Sequence, residues 1–160
     1  MPVEIVTGDI FESGVDVLVN PVNCVGVMGA GLAREFKRRW PKMFREYKTR
    51  CATDRLSFGR VLLWELPSTD GGERWIANVP TKGHYSEPST LAGVGLSLHA
   101  LRFHIDTMWA IDGREDSQGP TVAMPALGCG LGGLEFHRVL TLIRLYFDSA
   151  PYTVRVYRPR

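Results

Sequence analysis

Hydrophobic positions along this chain fall into short apolar runs, alternating with longer stretches where they recur every third or fourth residue. The runs are strand-like. Val3-Glu4-Ile5-Val6 stops at the turn Thr7-Gly8-Asp9, and Val15 to Val19 is nearly continuous, as expected of a strand buried on both faces. Gly59 to Leu66 and Arg74 to Val79 read as two strands joined by turn residues 67–72, and Thr121 to Met124 and Thr153 to Tyr157 complete the set. Helical spacing links Leu32, Ala33, Phe36 and Trp40 up to the stop at Pro41, then Phe44, Tyr47 and Cys51 in a shorter segment. It returns at Leu91, Val94, Leu98, Leu101 and Ile105, after a cap at Ser89 or Thr90, and at Phe136, Val139, Leu140, Ile143 and Phe147. Residues 112–119 read as a polar loop. This alternation predicts an α/β fold, a three-layer α/β/α sandwich around a mixed, mostly parallel sheet of about six strands. Ligands of such sheets sit outside the carboxyl ends of the strands.

Two glycine clusters fall at those ends. Gly26-Val27-Met28-Gly29-Ala30-Gly31 separates an apolar strand from a helix start, and Gly128-Cys129-Gly130-Leu131-Gly132-Gly133 does the same later in the chain. Glycine lets backbone approach a ligand, and a helix start offers free N–H groups and a positive dipole end, so each junction suits a phosphate. The glycine order is neither that of dinucleotide-binding enzymes nor that of P-loop NTPases. Either cluster alone is also explained as a tight turn without a ligand; the pair suits one diphosphate gripped from both sides.

Composition narrows the picture. With 160 residues, 44% of them hydrophobic, and no low-complexity run, the chain is expected to be one domain spanning 1–160. No apolar stretch approaches the length of a membrane span and Met-Pro-Val-Glu-Ile is no signal peptide, so a cytoplasmic protein without membrane contact is expected. Cys24, Cys51 and Cys129 are odd in number and lack C-x-x-C spacing, which indicates neither a disulfide framework nor a metal site. The net charge of +2 hides a basic block: residues 34–50 hold eight basic and two acidic side chains, +6, leaving eleven basic and fifteen acidic ones, −4, elsewhere. Such a block is either a solvated helix face or a surface that draws a polyanion such as DNA to the site beside it.

The ordered set Thr7-Gly8-Asp9-Ile10, Val19-Asn20-Pro21-Val22-Asn23 leading into the first glycine loop, and Leu127 to Leu134 resembles the macrodomain family of ADP-ribose-binding modules over essentially the whole chain. The Met-Gly-Ala-Gly loop and Pro80-Thr81-Lys82-Gly83-His84 look most like the branch containing terminal ADP-ribose protein glycohydrolase and the antitoxin that removes ADP-ribose from thymidine in DNA. The resemblance implies that Asp9 and the Ile10 N–H contact adenine. It places the first loop, with Asn20, Asn23, Gly29, Ala30 and Gly31, and the second, with Leu127, Gly128, Cys129, Gly130, Leu131 and Gly132, around the diphosphate and distal ribose. Tyr157 ends the last strand either as an adenine-stacking ring or as a packed tyrosine. No cofactor is implied, and the expected partners are ADP-ribose and ADP-ribosylated macromolecules, bound by a monomer.

In the resembling branch the lysine of the Thr-Lys motif, here Lys82, is the nucleophile that attacks C1″ of the distal ribose. An attacking amine must be uncharged, whereas a lysine side chain in water is charged at neutral pH, so the residue type alone fits a phosphate-binding charge equally well. His84, two residues on, projects to the same side if the segment is extended, and either shuttles a proton or serves as a structural histidine. The human-type glycohydrolase carries an acid in its second glycine loop where this chain has Gly132. That glycine and His84 look like the DNA-directed branch, so the expected activity is hydrolysis of ADP-ribosyl thymidine in DNA. The alternatives are acidic protein side chains as substrate, or a non-catalytic reader. Antitoxins of that branch usually carry a further toxin-binding domain; without it this chain reads as a free-standing hydrolase.

Overall fold

A computed structural model describes residues 2–67, 74–111 and 119–159; the predicted turn at 67–72, apart from Pro67, and most of the predicted loop at 112–119 lie outside them. Among the described residues six strands form one sheet: β1 (Val3–Val6), β2 (Val17–Val22), β3 (Leu62–Glu65), β4 (Trp75–Pro80), β5 (Val122–Met124) and β6 (Val154–Tyr157). Their order is β1-β6-β5-β2-β4-β3, parallel throughout except for β3, which runs antiparallel to β4 at the edge. The helices are α1 (Gly31–Arg39), α2 (Pro41–Ala52), α3 (Leu91–Ile111) and α4 (Phe136–Phe147), with a single 3-10 turn at Ile10–Glu12.

The sheet buries both faces, which is why its central strand reads as an unbroken apolar run. Alternate residues of β2 serve opposite layers: Val17 and Val19 pack with α3 and α4, Leu18 with α1 and α2. The apolar stripes do the rest, with Val94, Leu98, Leu101 and Ile105 of α3 and Val139, Ile143 and Phe147 of α4 under one face, and Phe36, Met43 and Tyr47 under the other. Thr90 is the residue that caps α3, its hydroxyl accepting the Gly93 N–H at 3.1 Å. Pro41 opens α2, where its missing N–H costs nothing. No helix of the described residues is long and apolar enough to cross a membrane.

One polar pair sits in the sheet. Asn20 and Asn78 are in register on β2 and β4, and the Asn20 amide donates to the Asn78 carbonyl oxygen at 2.9 Å. Asn78 in turn donates to the Met43 sulfur at 3.2 Å. Both asparagines are fully buried.

Candidate functional site

Five parallel strands end on one edge of the sheet, and residues from the loop after each line a cleft of about 990 Å³. At the β1 end Asp9 caps the 3-10 turn, one carboxylate oxygen accepting the Phe11 N–H at 2.9 Å. Ile10 lines the same corner with its side chain sunk in the core, and Tyr157 and Phe11 flank it. The Arg39 guanidinium lies 4.2 Å over the Phe11 ring. Glu35, hydrogen-bonded by Arg38 and Arg39, is held at a pKa of about 2 and stays a carboxylate.

The first glycine loop is fastened by Asn23. Its side-chain oxygen accepts the Val25 N–H (3.1 Å) and the Tyr47 hydroxyl (2.8 Å), and its amide donates to the Val27 carbonyl at 2.7 Å. Tyr47 is buried, and burial pushes its hydroxyl above the ordinary phenol range, so it remains a donor. Gly26 takes a left-handed φ of 84°, so a side chain there would strain the backbone although it would meet Lys48 only at ordinary contact distance. Ala30, the cap of α1, has no side-chain acceptor, so the first turn of the helix, whose residues Gly31, Leu32 and Ala33 line the cleft, is left without a side-chain cap. Asn20 stands apart: it is buried in the sheet against Asn78 and does not line the cleft.

The second loop is closed from below. Gly128 has φ 74°, and a β-carbon there would lie 2.8 Å from Leu134 Cδ1. At Gly132 a β-carbon would overlap the Ser89 hydroxyl and lie 2.5 Å from the Gly128 carbonyl oxygen. The acid of the human-type enzyme therefore has no room at position 132. At Gly130 the protein leaves open space, so a side chain there would project into the cleft it lines. Cys129 and Leu131 also line the cleft; burial raises the Cys129 thiol to a pKa of about 11, and Leu131 is exposed. Leu127 does not reach it, being buried in the α3–α4 core.

A strap at 81–89 bridges the two loops. At one end the Cys24 N–H donates to the Gly83 carbonyl (2.9 Å); at the other the Ser89 N–H donates to the Gly132 carbonyl (3.0 Å). Lys82 lines the cleft from this strap, its Nζ donating to the Tyr85 carbonyl at 3.3 Å. The strap is a turn, closed by the Glu87 N–H on the His84 carbonyl at 3.1 Å, and not the extended segment that would carry Lys82 and His84 on one side. His84 does not line the cleft and stacks on Tyr85 instead, with ring centroids 4.1 Å apart.

Phe11, Tyr85 and Ser89 line the cleft without having been singled out for it from the sequence. Phe11 follows the predicted turn Thr7-Gly8-Asp9 by two residues, and Tyr85 follows the lysine motif closely. Nothing in the sequence links Ser89 to Gly132. Among the described residues no group of three or more His, Cys, Asp or Glu side chains forms a metal site.

A cleft of about 990 Å³ between two glycine loops, at the carboxyl edge of an α/β/α sandwich, defines a class of nucleotide-binding modules. The chain belongs to the macro domain family, whose model matches residues 19–143. It is 37% identical over 145 residues to the DNA ADP-ribosyl glycohydrolase of Mycobacterium tuberculosis, covering 91% of this chain and 38% of that protein. The chain thus spans well under half the length of this curated relative. The solved macrodomain of Mycobacterium tuberculosis DarG superposes with a TM-score of 0.87 at 33% identity, covering 99% of this chain and 97% of the other. Thermosipho africanus DarTG in complex with ADP-ribose gives 0.83 at 32% identity, over 98% of this chain and 41% of that one.

Proposed function

We propose that this chain is an ADP-ribosyl hydrolase that binds ADP-ribose in the cleft and removes it from ADP-ribosylated thymidine in DNA. The observation that carries this reading is the position of Lys82, on a strap that is hydrogen-bonded to both glycine loops and lines the cleft they enclose. The names of the relatives, a DNA ADP-ribosyl glycohydrolase and a protein solved with ADP-ribose, support it. Asp9 and the Ile10 N–H hold adenine, and the loop 29–31 with the start of α1 and the loop 128–132 hold the diphosphate and distal ribose.

Lys82 supplies the nucleophile. Its nitrogen attacks C1″ and sheds a proton, while the bond from C1″ to the thymine nitrogen breaks and that nitrogen takes the electron pair and a proton. Water then adds at C1″ as the bond to lysine breaks, the lysine nitrogen takes the electron pair and the proton that water gives up, and ADP-ribose leaves. With position 132 closed by Ser89, this second step proceeds without a carboxylate from the second loop. The protein acts as a monomer, and α1 and α2 meet the DNA backbone. Of their cations Arg34, Lys37, Lys42, Arg45 and Lys48 form no ion pair among the described residues, leaving them available to phosphates.

Intact-mass analysis after incubation with an ADP-ribosylated oligonucleotide, and separately with a protein modified on acidic side chains, tests the reading. Release from the oligonucleotide by the parent and not by Lys82→Ala is expected. Release only from the protein reassigns the substrate, and ADP-ribose binding with no release from either makes the chain a reader.

A further inference from the structure

Tyr85 is the large aromatic side chain at the mouth of the cleft. It is 54% exposed, and one face of its ring is held by its neighbour. Its ring stacks on His84 at 4.1 Å with a 34° tilt. The His84 ring is itself oriented by Ser86, whose N–H donates to Nδ1 at 3.1 Å and whose hydroxyl lies 2.6 Å from the same nitrogen. The Tyr85 carbonyl accepts the Lys82 amine, so the platform and the amine belong to one hydrogen-bonded turn.

The adjoining rim has the same character. Cys24 ties the first glycine loop to Gly83, and that loop exposes Val25 and Val27. Lys48, without an acidic partner among the described residues, packs beside Gly26. An ordered aromatic pair, apolar neighbours and one free cation match a flat uncharged base followed by a phosphate, the combination by which proteins hold unstacked single-stranded nucleic acid. A modified aspartate or glutamate offers no ring to use it.

We propose that the His84–Tyr85 pair is the platform on which the base carrying the ADP-ribose rests, extruded from its strand, and that it makes this site selective for nucleic acid. The inference deepens the proposed activity and rests on it for the identity of the substrate. Here His84 is a positioning residue: it fixes the Tyr85 ring and carries no proton in the reaction.

Binding in a Lys82→Ala background isolates the platform from the chemistry. The modified single-stranded oligonucleotide is expected to bind at least about tenfold more tightly than free ADP-ribose, and Tyr85→Ala to erase that difference without changing ADP-ribose affinity. Tyr85→Trp and Tyr85→Phe keep the preference, because every base has a face that stacks on any aromatic ring. His84→Phe keeps it too, whereas His84→Ala weakens it. A preference untouched by Tyr85→Ala, an equal loss of ADP-ribose affinity, or an equal gain for an acidic peptide ADP-ribosylated on glutamate overturns the proposal. Failure of the active parent to release ADP-ribose from the oligonucleotide counts against the proposed reaction, and the binding comparison still decides the platform.

Discussion

Ser89 and Gly132 occupy each other's space: a β-carbon at position 132 overlaps the serine hydroxyl, and that hydroxyl, fully enclosed, has no hydrogen-bond partner among the described residues. Gly132→Ala and Gly132→Asp are therefore expected to destabilise the fold by about 1–3 kcal/mol through overpacking, read as a lower melting temperature. Combining Gly132→Ala with Ser89→Gly should recover only part of the loss, since the Gly128 carbonyl is also in the way. Full tolerance of Gly132→Asp would refute this packing account.

Ser89→Ala is expected to act in the opposite direction. It removes a buried hydroxyl whose desolvation is uncompensated, a penalty of about 1–3 kcal/mol, so the variant should melt at a higher temperature than the parent. A lower melting point would show that the hydroxyl has a partner in solution.

Asp9→Ala should weaken ADP-ribose binding by about 1.5–3 kcal/mol if the carboxylate accepts a hydrogen bond from adenine, and should also cost about 1 kcal/mol of stability through loss of the Phe11 cap. Calorimetry on the folded variant separates the two effects. Unchanged affinity removes Asp9 from the adenine corner.

The basic helices predict a salt effect. Arg45→Glu with Lys48→Glu should weaken binding of an ADP-ribosylated oligonucleotide and flatten its dependence on salt, leaving free ADP-ribose unaffected. The same salt slope in parent and variant would remove Arg45 and Lys48 from the nucleic-acid contact.

Alkaline pH should destabilise the protein. Burial raises Cys24 and Cys129 from 9.0 to about 11, so between those values the folded state holds protons that the unfolded state has released, and stability falls as pH rises. Melting temperatures between pH 8 and 10.5 should drop, and less steeply in Cys24→Ala/Cys129→Ala. A parent with a flat profile would show that these thiols are not held protonated.

Strand and helix order, both glycine loops and the position of Lys82 could be read from the chain because each is carried by neighbouring residues: period-two and period-3.6 patterns, glycine at strand ends, a short motif. What could not be read depends on residues brought together by folding. Asn20 sits in the right motif, yet its side chain is turned into the sheet by Asn78, which faces it only because β2 and β4 are adjacent. Leu127 likewise belongs to a glycine motif and to the core. Lys82 and His84 would share one side only in a strand, and hydrogen bonds within residues 84–87 put a turn there instead.

The pairing of β2 with β4 does not stop where the strands do. The Thr81 N–H donates to the Val22 carbonyl and the Cys24 N–H to the Gly83 carbonyl, both at 2.9 Å, so the ladder runs on past Lys82. The backbone that carries the amine is thereby indexed to the first glycine loop by main-chain bonds that survive any substitution except proline at the donor positions. If Lys82 is the nucleophile of the proposed reaction, a ligand whose phosphates seat between the loops would present its sugar carbon to the amine at a spacing set by the sheet, and one shortened by a phosphate would be seated out of step with it even when it binds.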